Sequence, residues 1–484
     1  MILTPSGRLE GLSRPDGTTA YLGVRYAHAP RGGAPVPERS WDGVRQAVDH
    51  GPICPQIPGV LEQGMGLGAA MDEECLSLSV HVPPASAGAA RSPRRPVLVW
   101  IHGGAFETGA GSAPWYDGGA LASRYGAVVV SVNYRLGVFG FWRERNLGLL
   151  DQVEALRWVH RHIEAFGGDP DRVTVFGESA GGCSVLALLA SPLTEGLVHA
   201  AWAMSPSTGQ MRTLDRADQV AGHLLDLAGL ASEDDLFALP CDALLDVQRR
   251  VGAEPGRGFD LFAPTLGGHG LPVDAIGALA RRPVPLVLGT CADEHRLWGA
   301  FDPAFAAMDP EDLERRVGVL FPGASGDVVE RYQAHRPGHT PGQLMSAVMT
   351  DDAFRSRAIA VAEARVAVGS PTWMYWFTWA SPAFGGVLGS CHGLDIPFAF
   401  HQLDAPGVAM FTGDGGDRNG VADAYAGALA HLADHGGGSW SQYDTDRRAT
   451  LRIDLDSAVL DDPEPELRRL WAGREIIAGT GVHA

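Results

Sequence analysis

Residues 173–183 read VTVFGESAGGC, and this stretch restricts the fold more than any other in the chain. An apolar run of strand length meets a serine with glycine two positions away on either side. A run of small apolar residues follows. A strand that turns into a helix within a couple of residues lifts the intervening side chain clear of the sheet. The turning residue is then held in sparsely populated backbone space, at a cost of about 1–3 kcal/mol. Glycines at 177 and 181 leave room because they carry no Cβ. The Gly-x-Ser-x-Gly pattern in this setting is what a nucleophile elbow requires, with Ser179 as the nucleophile. Ala180 then opens the helix, its free N–H and the positive end of the helix dipole aimed at the site.

The elbow sits in a regular alternation. RPVLVWIHGG (95–104), GAVVVSVNYR (126–135) and RVTVFG (172–177) are continuous apolar runs, as strands buried on both faces should be. Further strands are expected at 199–205, 284–290, 372–379 and 449–454. Between them, 149–167 carries apolar residues at helical spacing and ends in Gly-Gly and Pro, and 180–190 is a small-residue helix stopped by Pro192. Strand and helix in alternation predict an α/β architecture, a mostly parallel sheet with helices on both faces. Ligands in such sheets bind beyond the carboxyl ends of the strands. IHGGA, GESAGG and GTCADEH all fall there. Two long, mainly helical stretches, about 206–280 and 296–370, interrupt the alternation. They read as insertions capping the site of a single 1–484 unit. The segments 83–96 and 413–420 read as exposed loops.

Composition removes several function classes. The net charge of −19 leaves no basic stripe to neutralise phosphates, so nucleic acid is not an expected partner, and an acidic surface repels anionic lipid. There is no lysine; all 38 cationic side chains are arginine. That excludes a P-loop lysine, a kinase strand lysine and a Schiff-base lysine. No apolar run reaches 18 residues and the N-terminal stretch lacks a signal-peptide pattern, so a cytoplasmic protein without a membrane span is expected. The six cysteines show no zinc spacing and read as free buried thiols. His160 and His162, two apart on one helix, make a poor metal pair and read as surface histidines. No metal or organic cofactor is expected. Oligomeric state is not legible.

A serine hydroxyl needs a base, and the base an orienting acid; in this elbow architecture they follow as Ser, Asp/Glu, His. After Ser179, Asp293 and Glu294 stand at the end of a predicted strand. His392 lies between small residues in GSCHGLD. With 17 histidines in the chain, spacing alone does not choose among them.

FGESAGG, WIHGGAF, NYRLGVFGF, NLGLLDQ, FGGDP, CPQ…DEECLSLSV and CHGLDIPFAF together resemble the type-B carboxylesterase family. The likeness is to its bacterial p-nitrobenzyl esterase branch in particular. It runs from about residue 8 to the C-terminal WAGREI, dense before residue 205 and sparser through the insertions. It implies an α/β-hydrolase fold and a serine esterase with Ser179 as nucleophile, Glu294 as acid and His392 as base. His295 replaces a family glycine beside Glu294, which keeps Asp293 as a fallback. The resemblance also implies an oxyanion hole of the Gly104, Ala105 and Ala180 N–H groups, with Ala105 in place of a common glycine and His102 structural. Ser205 and Asp395 are implied as supports of the triad, Asp395 standing where the family usually has glutamate. Cys54 and Cys75 occupy the family's loop-closing disulfide positions. Residues 55–74 between them contain no aromatic to bind quaternary ammonium, so a neutral aliphatic or aromatic carboxylic ester is a better expectation than a choline ester. Amide or carbamate hydrolysis on the same triad, and a non-catalytic binding module of the same fold, stay open at this point.

Overall fold

The predicted apolar runs form the middle of one 13-stranded sheet. The computed structural model describes residues 1–84, 94–254 and 260–474. In chain order the strands are β1 (Ile2–Thr4), β2 (Gly7–Ser13), β3 (Thr19–Arg25), β4 (Val44–Ala47), β5 (Ser77–Val82), β6 (Arg95–Ile101) and β7 (Val128–Val132). They continue as β8 (Gly168–Glu178), β9 (Ala200–Met204), β10 (Leu286–Cys291), β11 (Thr372–Phe377), β12 (Thr450–Ile453) and β13 (Ala458–Leu460). The sheet runs β1-β2-β3-β5-β7-β6-β8-β9-β10-β11-β12-β13, with β4 alongside β2. From β7 through β12 every neighbour is parallel, and antiparallel strands flank that block on both sides.

The strands in the block are mostly apolar because both faces are covered. Along β6, Val97, Val99 and Ile101 enter one core, with helix α2 (Leu147–His162) and helix α3 (Ala180–Ala190). Leu98 and Trp100 enter the other, with Trp202, Phe400 and a helix at 418–435. The period of two between adjacent side chains assigns them to opposite faces.

The remaining helices follow in order. Short α1 (Val60–Gly64) lies before the parallel block. The first insertion holds α4 (Leu214–Ala228) and α5 (Cys241–Gly252). The second holds α6 (Pro310–Leu320), α7 (Ser325–His335), α8 (Pro341–Thr350) and α9 (Ser356–Val366). Then come α10 (Val408–Thr412), α11 (Arg418–His435) and α12 (Pro465–Trp471). The second insertion builds a core of its own, in which Leu313, Val317, Tyr332 and Val348 pack on Trp471 of α12.

Two expectations change. The loop read at 413–420 ends early, because α11 begins at Arg418. His160 is exposed, but His162 is buried, stacked on Trp158 with its Nε2 2.8 Å from Ser6 Oγ. The N-terminal residues cover that side of α2, which helical spacing could not disclose. The loop expected over 83–96 and the final residues of the WAGREI match lie largely outside the described residues. No helix among the described residues is long and apolar enough to cross a membrane.

Candidate active site

β8 ends at Glu178 and α3 begins at Ala180, so Ser179 alone makes the turn, at φ 58° and ψ −120°. Its N–H donates to Met204 O at the end of β9, 3.0 Å away. The flanking glycines are needed for close approach. A Cβ on Gly177 would lie 2.6 Å from both Gly181 O and Ile101 O, and one on Gly181 would lie 2.0 Å from Ile101 O. The elbow is thus wedged against the end of β6, and no larger residue fits at either position.

β10 ends at Cys291, whose N–H donates to Glu294 Oε1 at 2.8 Å. The other carboxylate oxygen, Oε2, lies 2.5 Å from His392 Nδ1, and the His392 N–H donates to Glu294 O at 3.2 Å. Glu294 has no exposed surface. Asp293 turns to the other side: it accepts the Ser390 N–H at 3.0 Å and pairs with Arg296 at 3.3 Å. Of two adjacent carboxylates, only Glu294 meets the imidazole. A hydrogen bond from Nδ1–H to Glu294 leaves Nε2 as the acceptor nitrogen. Ser179 and His392 line one cavity of about 550 Å³, together with Gly104, Ala105 and Glu178. Ser179 Oγ and His392 Nε2 are not hydrogen-bonded to each other, and Nε2 has no hydrogen-bond partner among the described residues; both residues line that cavity.

Glu178, the variable position of the elbow, is a cavity-lining residue that sequence reasoning passed over. Its Oε1 lies 3.1 Å from His392 Nε2, in contact but outside hydrogen-bonding direction. Burial pushes the Glu178 carboxyl up to about 8, against the pull of the neighbouring imidazole. Burial pushes the His392 imidazole down, but Glu178 and Glu294 outweigh it and leave the group raised to about 9. The two titrate as a pair, because a proton on Glu178 removes one of the carboxylates holding the imidazolium.

Beyond the end of β6 the backbone coils through three successive residues with positive φ: Gly104 (107°), Ala105 (53°) and Phe106 (62°). The N–H groups of Gly104, Ala105 and Ala180 donate to nothing among the described residues. A Cβ on Gly104 would lie 2.3 Å from Thr108 O, so only glycine fits there. The loop is braced from behind. Gln56 clasps Gly109 through both amide atoms, at 2.7 and 2.9 Å, and Tyr134 OH donates to His102 O at 2.8 Å. His102 stacks on Tyr134, donates from Nδ1 to Gly103 O, and is held neutral by burial, which lowers it to about 4. Its surroundings are those of a structural brace.

Asp395 is fully buried and accepts hydroxyl donors from Tyr375 (3.2 Å) and Tyr425 (3.0 Å). Burial raises its carboxyl to about 6. Ser205 is buried at the end of β9 with φ 43°. Its Oγ and Asp395 Oδ1 have no hydrogen-bond partner among the described residues. Neither side chain touches His392 through a hydrogen bond. All six cysteines are free, and Cys75 is raised by a hydrogen bond with the neighbouring Cys54 thiol and by burial. Among the described residues no cluster of three or more His, Cys, Asp or Glu could hold a metal ion.

The cavity wall comes from segments far apart in the chain. Trp115, Tyr116 and Trp298 line it, whereas Phe106 and Trp202 are core side chains. The first insertion contributes Ser207 and Gln210; the second contributes more, including Trp298 and Phe354. Two short helices complete it, α1 with Leu61 and Glu62 and α10 with Met410 and Phe411. They meet backbone to backbone, since a Cβ on Gly407 would lie 2.0 Å from Gly64 O. Nothing in the sequence marked α10 as a wall.

A model of the Carboxylesterase family matches residues 1–467. The chain is 34% identical to a para-nitrobenzyl esterase of Bacillus subtilis over 97% of its own length and 98% of the relative's. It is 35% identical to a phenmedipham hydrolase of Pseudarthrobacter oxydans, covering 83% and 82% of the two chains. Among solved structures, a carboxylesterase of Geobacillus stearothermophilus superposes with a TM-score of 0.84 at 34% identity, over 97% of this chain and 99% of that one.

Proposed function

The chain belongs to the carboxylesterase family and is a carboxylic-ester hydrolase of α/β-hydrolase fold, and we propose that it works through Ser179, His392 and Glu294. The observation that carries this reading is the buried 2.5 Å contact of Glu294 with His392 Nδ1, which leaves Nε2 open to the cavity that Ser179 also lines. Ser179 Oγ attacks the ester carbonyl carbon as its proton passes to His392 Nε2. Glu294 holds the ring in the required tautomer and stabilises the imidazolium. The tetrahedral oxyanion is received by the N–H groups of Gly104, Ala105 and Ala180. The intermediate collapses as the alcohol leaves with the proton from Nε2, giving an acyl-enzyme. Water then gives a proton to Nε2 as it attacks the acyl carbon, and the second tetrahedral intermediate collapses as Nε2 passes that proton to Ser179 Oγ, breaking the acyl bond and releasing the acid. Asp395 and Ser205 support this site from behind the triad.

The substrate we propose is a small neutral ester with bulky apolar groups. The wall is mostly apolar, no arginine lines it, and its acidic lining, Glu62, Glu107 and Glu178, disfavours a carboxylate-bearing substrate. The two insertions act as one cap on a single catalytic unit. Unbridged thiols favour a reducing, cytoplasmic setting.

Ser179→Ala tests the reading. It should fold as the wild type does, by circular dichroism and melting temperature, and lose turnover of p-nitrophenyl esters. Wild-type turnover in that variant would remove Ser179 as nucleophile. Matched p-nitrophenyl ester and p-nitroanilide substrates separate esterase from amidase activity.

A further inference from the structure

The helix pattern from 341 to 366 is interrupted by a π-helical turn, Asp351–Arg355, between α8 and α9; the Ser356 N–H donates to Asp351 O, five residues back. Such turns are rare and less stable than α-helix, so one that persists needs anchoring. Its inner side chain is Phe354. The His392 imidazole packs on Phe354 at 4.8 Å between centroids and on Trp298 at 5.0 Å. Trp298 and Phe354 are themselves near-parallel, at 6° and 6.3 Å. The imidazole therefore rests in a notch between two stacked rings, and one of them is carried by the π turn.

The other side of the turn carries charge. Arg355 pairs with Glu464 and donates to Pro463 O at 2.8 Å. Glu464 also takes Arg336, through both carboxylate oxygens. Asp351 accepts Tyr332 OH at 2.6 Å, and Tyr332 in turn accepts the Trp471 indole N–H at 2.8 Å. Glu464 sits at φ 55°, a conformation a non-glycine residue keeps only where its surroundings insist. The catalytic reading uses none of this.

We propose that Glu464 is a positioning residue for His392: by gripping Arg355 it fixes the π turn, and so the Phe354 ring against which the imidazole is aimed. The inference rests on His392 being the base. Glu464 does not line the cavity or contact the imidazole and acts only through Phe354, so its removal loosens the angle of Nε2 toward Ser179.

The test is a double-mutant cycle on the full chain, read as kcat and KM on a p-nitrophenyl ester. Glu464→Gln should lower kcat about tenfold with KM within about twofold, as a misaimed catalytic group does. Phe354→Leu should lower kcat comparably. The double variant should be no slower than Phe354→Leu alone, because both changes break one linkage. Asp260→Asn is the control. It cuts the Arg216–Asp260 pair in the first insertion and should leave kcat unchanged. If Glu464→Gln fails to fold, Glu464→Asp keeps the charge with a shorter reach and should show a smaller fall in kcat alone. Wild-type kcat in whichever Glu464 variant folds would overturn the proposal, as would losses that multiply in the double variant. A His392→Ala variant that stayed active would instead overturn the reading beneath it.

Discussion

Glu178→Gln tests the electrostatics of the site most sharply. The substitution keeps shape and removes charge at a point 3.1 Å from His392 Nε2. With an effective dielectric of about 20, two unit charges at that distance attract by about 5 kcal/mol, a ceiling of about four pH units on the imidazole. Glu178 holds its own proton up to about 8, so its carboxylate is present over only part of the titration and the shift is smaller. The sign is fixed. Glu178 raises the imidazole, and its loss must lower it. Since the neutral ring is the active form, the acid limb of the kcat/KM profile should move to lower pH by at least about one unit. Stopped-flow or plate assays of a p-nitrophenyl ester between pH 5 and 10, with buffers of constant ionic strength, would read it. A limb that stayed in place or moved to higher pH would refute the assignment of Glu178 as the neighbour that holds the proton on His392.

Two further pairs of variants separate close alternatives. Gly104→Ala places a Cβ 2.3 Å from Thr108 O at φ 107° and should cost about 10²–10³ in kcat as the oxyanion loop shifts, whereas Ala105→Gly keeps its N–H and should stay within about 1 kcal/mol in stability and near wild-type rate. Glu294→Gln should cost on the order of 10⁴ in kcat by spoiling the imidazole tautomer, while Asp293→Asn, which keeps its acceptor for the Ser390 N–H, should leave kcat within a few-fold. Equal losses in the Asp293 and Glu294 variants would return the choice between the two carboxylates to open.

The block β6 to β12 was legible because strands buried on both faces carry few polar positions to blur the pattern. β2, with the sequence GRLEGLS, was not, because it is largely exposed and punctuated by glycine. The Ser179 turn could be read from its glycines, whose contacts with Ile101 and Gly181 are ones that any Cβ would break. The adjacent carboxylates could not be told apart by spacing. Their difference lies in which side of a turn after β10 each one faces, and that is a tertiary fact. Glu178 escaped notice because its role comes from its distance to a ring 214 positions later (His392 against Glu178). The π turn escaped for a related reason, since one added residue inside a long helical pattern leaves composition and periodicity nearly unchanged. The tyrosine partners of Asp395 were not legible either, because Tyr375 of β11 and Tyr425 of α11 reach it only through tertiary packing.

The most direct measurement is covalent. Incubation with an organophosphate such as paraoxon, followed by peptide mass spectrometry, should find one diethylphosphoryl adduct, on the peptide containing Ser179, appearing as esterase activity is lost. An adduct at another residue, or full loss of activity with Ser179 unmodified, would contradict the account.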